Sequence, residues 1–326
     1  MVKICVFINK QSYLLTFLPI IVPNFHNFGG IVNIKTSHII NWLILIGLSM
    51  IWGSSFILMK YGLKSFSYGQ VAGFRMFIAF VSLLPVALYH IKKITKKNFI
   101  SLIIVGYIGN AIPAFLFTLS QTRIDSSIAG ILNSMTPFFT MIIGALVYNI
   151  KIPWFKVAGV LIGLAGAVAV ITSNTNIDTG KINVFALYVV LATVMYGINI
   201  NHVKARLSSL NGIQIAAFAF MMVGPVITAY LISTNLPETF ARDNAWHDFL
   251  YVLLLGFFGS AVAVVAVNIL ILRSNALFAS SVTYLMPIIA IGWGALDGEQ
   301  LTIIQYAGMG LILFGVYLVN KKYRKK

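Results

Sequence analysis

The chain has 326 residues, 59% of them hydrophobic and only 9% charged. A soluble domain of this length carries roughly a quarter charged residues, so a water-soluble enzyme or binding domain is excluded. The formal net charge of +16 does not mark a nucleic-acid binder either. The bases sit in short clusters between apolar stretches, not on one folded face, and read as determinants of membrane topology. One cysteine, Cys5, leaves no disulfide framework and no cysteine-based metal site.

Residues 1–38 stand apart. Tyr13 to Val22 is an apolar run broken by Pro19 and ended by Pro23, too short to cross a bilayer. Lys3 and Lys10 give it the outline of a signal peptide, yet no small-residue cleavage site follows. The segment reads as an N-terminal extension or a mis-assigned start.

Apolar segments near the ~20 residues that a bilayer core demands then follow one another. They fall at 41–63, 69–91, 99–121, 125–148, 154–172, 183–203, 212–233, 248–272, 275–296 and 302–320. None alternates polar and apolar residues as a barrel strand does, so each is expected to be a helix. Counting alternate loops outward from Lys92, Lys93, Lys96 and Lys97 puts most bases on one side, together with both termini. That side is expected to be the cytoplasm of a cell with a bacterial inner membrane. All seven acids fall on the opposite side, and none is expected deep inside a span.

The sequence repeats itself. A shift of 150 lays Gly106 on Gly256, Gly109 on Gly259, Arg123 on Arg273 and Pro137 on Pro287; a shift of 144 lays Trp52-Gly53 on Tyr196-Gly197 and Lys60 on Lys204. Five spans per copy is an odd number, so the second copy enters the membrane from the opposite side. The expected fold is an all-α membrane protein of ten transmembrane helices in two inverted five-helix repeats, 39–172 and 183–326. Such symmetry is the architecture of alternating-access carriers, with the substrate site where the halves meet.

Trp52-Gly53-Ser54-Ser55-Phe56 with Lys60, then Arg75-Met76-Phe77-Ile78-Ala79, then Asp297-Gly298-Glu299-Gln300-Leu301 with Gln305 and Gly308, resemble the motifs of the EamA family in the drug/metabolite transporter superfamily. The first repeat departs by placing Asn149 where that family often has Glu, and the seventh span has no Arg. The resemblance implies ten helices, export or uptake of small metabolites, often amino acids, and no ATPase domain.

Substrate-binding candidates are Trp52, Ser55, Lys60, Arg75, Asn110, Asn133, Tyr196, Asn199 and Tyr284, with Pro137 and Pro287 as kink or gating candidates. Arg75 has two readings: a snorkelling anchor, or a paired-donor clamp for a substrate carboxylate. Lys60 and Lys204 read as interface anchors or substrate contacts. Trp52 and Tyr196 read as cavity walls or as packing, and the amides as cavity donors or interhelical glue. Pro137 and Pro287 are expected to interrupt their spans and free a carbonyl. His90 and His202 allow a proton relay.

The expected function is a secondary transporter of a small neutral, zwitterionic or anionic metabolite, with amino acids the first candidates. A carrier of phosphorylated metabolites using Lys60, Arg75, Lys204 and Arg273 is the alternative. An intramembrane enzyme is disfavoured, since no His-Glu-x-x-His, carboxylate pair or based serine occurs. No cofactor, metal or nucleic acid is expected. The expected partners are a small-molecule substrate and the lipid bilayer, with the protein a monomer or homodimer.

Overall fold

The computed structural model describes residues 34–148, 153–173 and 184–320. Asn149, the 174–183 connection, most of the N-terminal extension and the C-terminal lysines lie outside them. The chain divides into residues 1–40 and a compact unit of residues 41–326, and the following concerns the latter.

Among the described residues the secondary structure is helical, without a β-strand. The first five helices are α1 (Ile34–Gly62), α2 (Tyr68–Tyr89), α3 (Lys96–Ser120), α4 (Ser126–Val147) and α5 (Trp154–Ser173). The next five are α6 (Val184–Arg206), α7 (Gly212–Ser233), α8 (Ala245–Arg273), α9 (Ala276–Leu296) and α10 (Ile303–Asn320). Eight of these are long and apolar enough to cross a bilayer, whereas α5 and α10 carry shorter apolar stretches, Trp154–Val170 and Ile303–Gly315. Large apolar side chains such as Leu88, Ile100, Leu161, Ile232 and Phe314 are exposed, as a lipid solvent permits and water does not.

The local sequence explains where helices start. The Ser67 hydroxyl accepts from the Gln70 amide while the Gln70 side chain accepts from the Ser67 amide, a capping box at the head of α2. Asn211 and Gln214 build the same box on α7, displaced by the 144 residues of the sequence repeat. α2 and α7 pack on one another, as do α5 and α10. The latter contact is backbone on backbone: a Cβ on Gly166 would stand 2.5 Å from the Gly308 carbonyl oxygen, and one on Gly315 would strike that of Gly159.

Four helices are irregular where the site forms. Residues Tyr107–Ala111 of α3 and Phe257–Val262 of α8 are π-helical turns at matching places in the two repeats. α4 breaks after Asn133 and resumes at Thr136, and α9 passes through a tight turn, Ser281–Tyr284, before resuming at Met286. Both spans are interrupted beside Pro137 and Pro287. Each proline lies in the first turn of a resumed half-helix, where its missing N–H has no intrahelical partner to lose, so the break precedes the proline. The expectation that no carboxylate lies within a span is corrected. α8 begins at Ala245, three residues earlier than read from hydropathy, and takes in the buried Asp248, which accepts from the Ser65 hydroxyl at 2.5 Å.

Candidate functional site

A cavity opens among α1, α2, α3, α4, α6, α8 and α9. Water-sized spheres can centre within about 80 Å³ of it, room for several waters at ~10–15 Å³ each or for one small metabolite. Seven of the nine substrate candidates line it: Trp52, Ser55, Arg75, Asn110, Asn133, Tyr196 and Asn199.

The walls come in pairs related by the sequence repeat. Trp52 and Tyr196, Ser55 and Asn199, and Phe56 and Ile200 are 144 apart; Asn110 and Ser260, Phe117 and Val267, and Asn133 and Thr283 are 150 apart; both members of every pair line the cavity. Ser260 was legible only as the mate of Asn110, and Thr283 only as the mate of Asn133. Arg75 breaks the pairing. α2 and α7 align residue for residue at a shift of 144, and the matching position in α7 is Ala219, fully buried.

The π-helical turn of α8 carries Ser260 and, next to it, Gly259. The Gly259 carbonyl accepts from the Trp52 indole at 2.9 Å, and the Ser260 hydroxyl accepts from Arg75 Nε at 2.6 Å. A π turn shifts the backbone register, which leaves such a carbonyl free for a side chain. Tyr196 stacks on Phe117 with centroids 6.0 Å apart. The amide of Asn110 is occupied by the Val105 carbonyl at 2.8 Å. Asn133 Oδ1, Asn199 Oδ1 and Asn268 Nδ2 are buried without a hydrogen-bond partner among the described residues. No Asp or Glu lines the cavity among the described residues.

Lys60 and Tyr284 are not brought to it. The tight turn of α9 presents Val282 and Thr283 to the cavity instead of Tyr284. Lys60 lies at the end of α1 in an ionic cluster. Its ammonium stands 2.6 Å from Asp297 Oδ2 and 2.7 Å from Glu299 Oε1. Glu299 Oε1 also accepts from the Ser126 hydroxyl at 2.7 Å and amide at 3.2 Å. Its Oε2 accepts from the Ser127 hydroxyl at 2.6 Å and amide at 3.0 Å. Glu299 thus caps the N-terminus of α4, where the helix dipole favours an anion. Tyr61 donates to Asp297 and stacks on Tyr251 at 4.9 Å.

Burial alone would push the Glu299 carboxyl up, but the hydrogen bonds from Lys60, Ser127 and Ser126 hold it below the usual carboxylate range. Asp297 is held down by hydrogen bonds from Lys60 and Tyr61. Asp125 goes the other way, pushed up by burial and by the neighbouring Glu299 charge.

The other cations read as possible ligands are engaged as well. Lys204 donates to the Leu272 and Ser274 carbonyls at 3.0 and 2.5 Å, capping the end of α8, and Arg273 donates to Asn41 at 3.1 Å. Arg75 is therefore the one member of the proposed basic set at the cavity.

Comparison with known proteins agrees with a transport fold. The EamA-like transporter family model matches residues 40–172 and again 184–321, and the chain belongs to that family. It is a membrane transporter. A relative is the uncharacterized inner membrane transporter YedA of Escherichia coli K12, 26% identical over 279 residues, covering 85% of this chain and 89% of that protein. Another is a probable amino-acid metabolite efflux pump of the same strain, 24% identical over 279 residues, covering 82% and 91%. A solved crystal structure superimposes with a TM-score of 0.62 at 14% identity, over 86% of this chain and 96% of that one, a likeness of fold.

Proposed function

We propose that the protein is a secondary transporter whose two five-helix repeats, 39–172 and 183–326, lie inverted in a bacterial inner membrane with both termini in the cytoplasm. Ten helices span the bilayer in this reading, α5 and α10 included, since those two pack backbone to backbone along their length. The halves rock about the shared cavity, exposing it to each side in turn. One observation carries the reading: residues matched by the sequence repeat line a single cavity from both halves.

The cargo is a small neutral, zwitterionic or anionic metabolite, with amino acids first. A cavity with a few polar groups set among apolar walls, and no carboxylate among the described residues, suits them, and a relative bears the name of a probable amino-acid metabolite efflux pump. The phosphorylated-metabolite reading loses support, because Lys60, Lys204 and Arg273 are occupied elsewhere and one guanidinium is poorly matched to a phosphate dianion. Counterflow into proteoliposomes tests the proposal, using pooled metabolites with and without a pH gradient. Labelled cargo is expected to accumulate in vesicles preloaded with the same compound. No accumulation from any pool would contradict it.

A further inference from the structure

Arg75 is 8% exposed, and its only hydrogen bond among the described residues is from Nε to the Ser260 hydroxyl. The two terminal Nη groups donate to no described residue, yet they are not sealed from the cavity. No carboxylate pairs with it among the described residues; Asp297 and Glu299 are bound to Lys60, and Asp248 to Ser65. A guanidinium does not give up its proton. Leaving one buried without a counter-charge costs several kcal/mol, and an ionised group inside a membrane protein marks function. The charge also has no counterpart in the second repeat, where the matching residue is Ala219.

Resting on the transporter reading, we propose that the cargo must carry a carboxylate, which the paired Nη groups of Arg75 receive, and that Ser260 is the residue that positions them. Two parallel N–H donors match the two oxygens of a carboxylate. Ser260 is fully buried on the π-helical turn of α8, and by taking Nε it fixes the plane of the guanidinium. The neighbouring Gly259 carbonyl fixes Trp52, so one turn of the second half sets both a cation and a ring of the first. The far end of the cargo meets the unpartnered amide atoms of Asn133 and Asn268, which are 3% and 1% exposed. The recognised class is a small carboxylate bearing a second hydrogen-bonding group, and permanent cations are rejected.

The test compares two pools in the same counterflow assay: free amino acids, and the same compounds as carboxyl amides. Exchange is expected with the free acids alone. Arg75→Gln should abolish it while the detergent-purified variant keeps the elution profile and unfolding midpoint of the wild type. Ser260→Ala should raise the half-saturation concentration about tenfold, the scale of one lost charge-assisted hydrogen bond, with the maximal rate little changed. Ser260→Cys, similar in volume but a poor acceptor, should behave alike and serves if the alanine variant misfolds. Equal exchange of the amides overturns the carboxylate requirement and leaves the transporter reading intact. Unchanged half-saturation in both Ser260 variants overturns the positioning role. Exchange from neither pool, where another pooled metabolite without a carboxylate does exchange, overturns the inference and leaves the transporter reading intact.

Discussion

Glu299→Ala is expected to cost about 3 kcal/mol of folded-state stability, read as a lower midpoint of thermal unfolding in detergent. Four donors of Ser126 and Ser127 converge on this carboxylate, and both serines are 1% exposed. Each buried donor left without a partner costs ~1–3 kcal/mol, less where water enters. Lys60 keeps Asp297 at 2.6 Å in the variant, so its charge is not stranded, and the loss falls mainly on the first turn of α4. Glu299→Gln keeps one acceptor oxygen but turns an amide donor toward a serine, so its midpoint should fall between those of the alanine variant and the wild type.

The pH dependence follows with a definite sign. Glu299 and Asp297 both titrate below their ordinary values in the folded protein. Their contribution is complete above the unfolded carboxylate range, ~4, and is lost as pH falls through and below that range. Asp125, held above its ordinary value, favours folding when protonated and opposes part of this loss. The acid limb of the unfolding curve should be steep in the wild type and shallower in Lys60→Ala. Equal acid limbs would mean the cluster contributes nothing.

The second repeat mate tells against a purely symmetric device. Lys204, the counterpart of Lys60, caps carbonyls at the end of α8 and holds no carboxylate among the described residues. The residue matched to Glu299 at a shift of 150 is Asn149, outside the described residues. An ionic tie joining α1, α4 and the end of α9 is therefore written at one end of the first repeat's α1, with a neutral residue at the corresponding place.

Gly315→Leu is expected to abolish recovery of folded protein. Its Cβ would strike the Gly159 carbonyl oxygen and stand 2.7 Å from the Gly163 amide nitrogen. These are backbone atoms of α5, so no rotamer relieves the contact and the helices must separate. Overpacking typically costs ~1–3 kcal/mol when side chains can adjust, and here they cannot. Gly310→Leu supplies the control on the same helix, because a Cβ there meets nothing within 4 Å. Its yield and unfolding midpoint should match the wild type. Equal recovery of both variants would refute the packing of α5 on α10.

Helix positions were largely readable from hydropathy, because a bilayer imposes a length that few other constraints imitate. Apart from the start of α1, the described helix ends lie within three residues of the apolar segments. Most of the cavity was readable too, since the repeat turns one polar residue into a pair. Asn110 and Asn133 point to Ser260 and Thr283 by arithmetic alone. Lys60 was not readable, because its partners lie more than two hundred residues away in sequence and nothing local announces them. The π-helical turns carry no compositional signature, so the bond from Arg75 to Ser260 could not be foreseen. Pro137 and Pro287 marked the neighbourhood of both helix breaks, each of which falls just before its proline.

Accessibility of the cavity from the two sides of the membrane decides the mechanism. In a Cys5→Ser background, a cysteine placed at Asn199 should react with a membrane-impermeant maleimide in intact cells and also in inverted vesicles, and cargo in the cavity should slow both reactions. A cysteine that reacts from one face alone under every condition, or from neither, would contradict a shared site that opens alternately to each side.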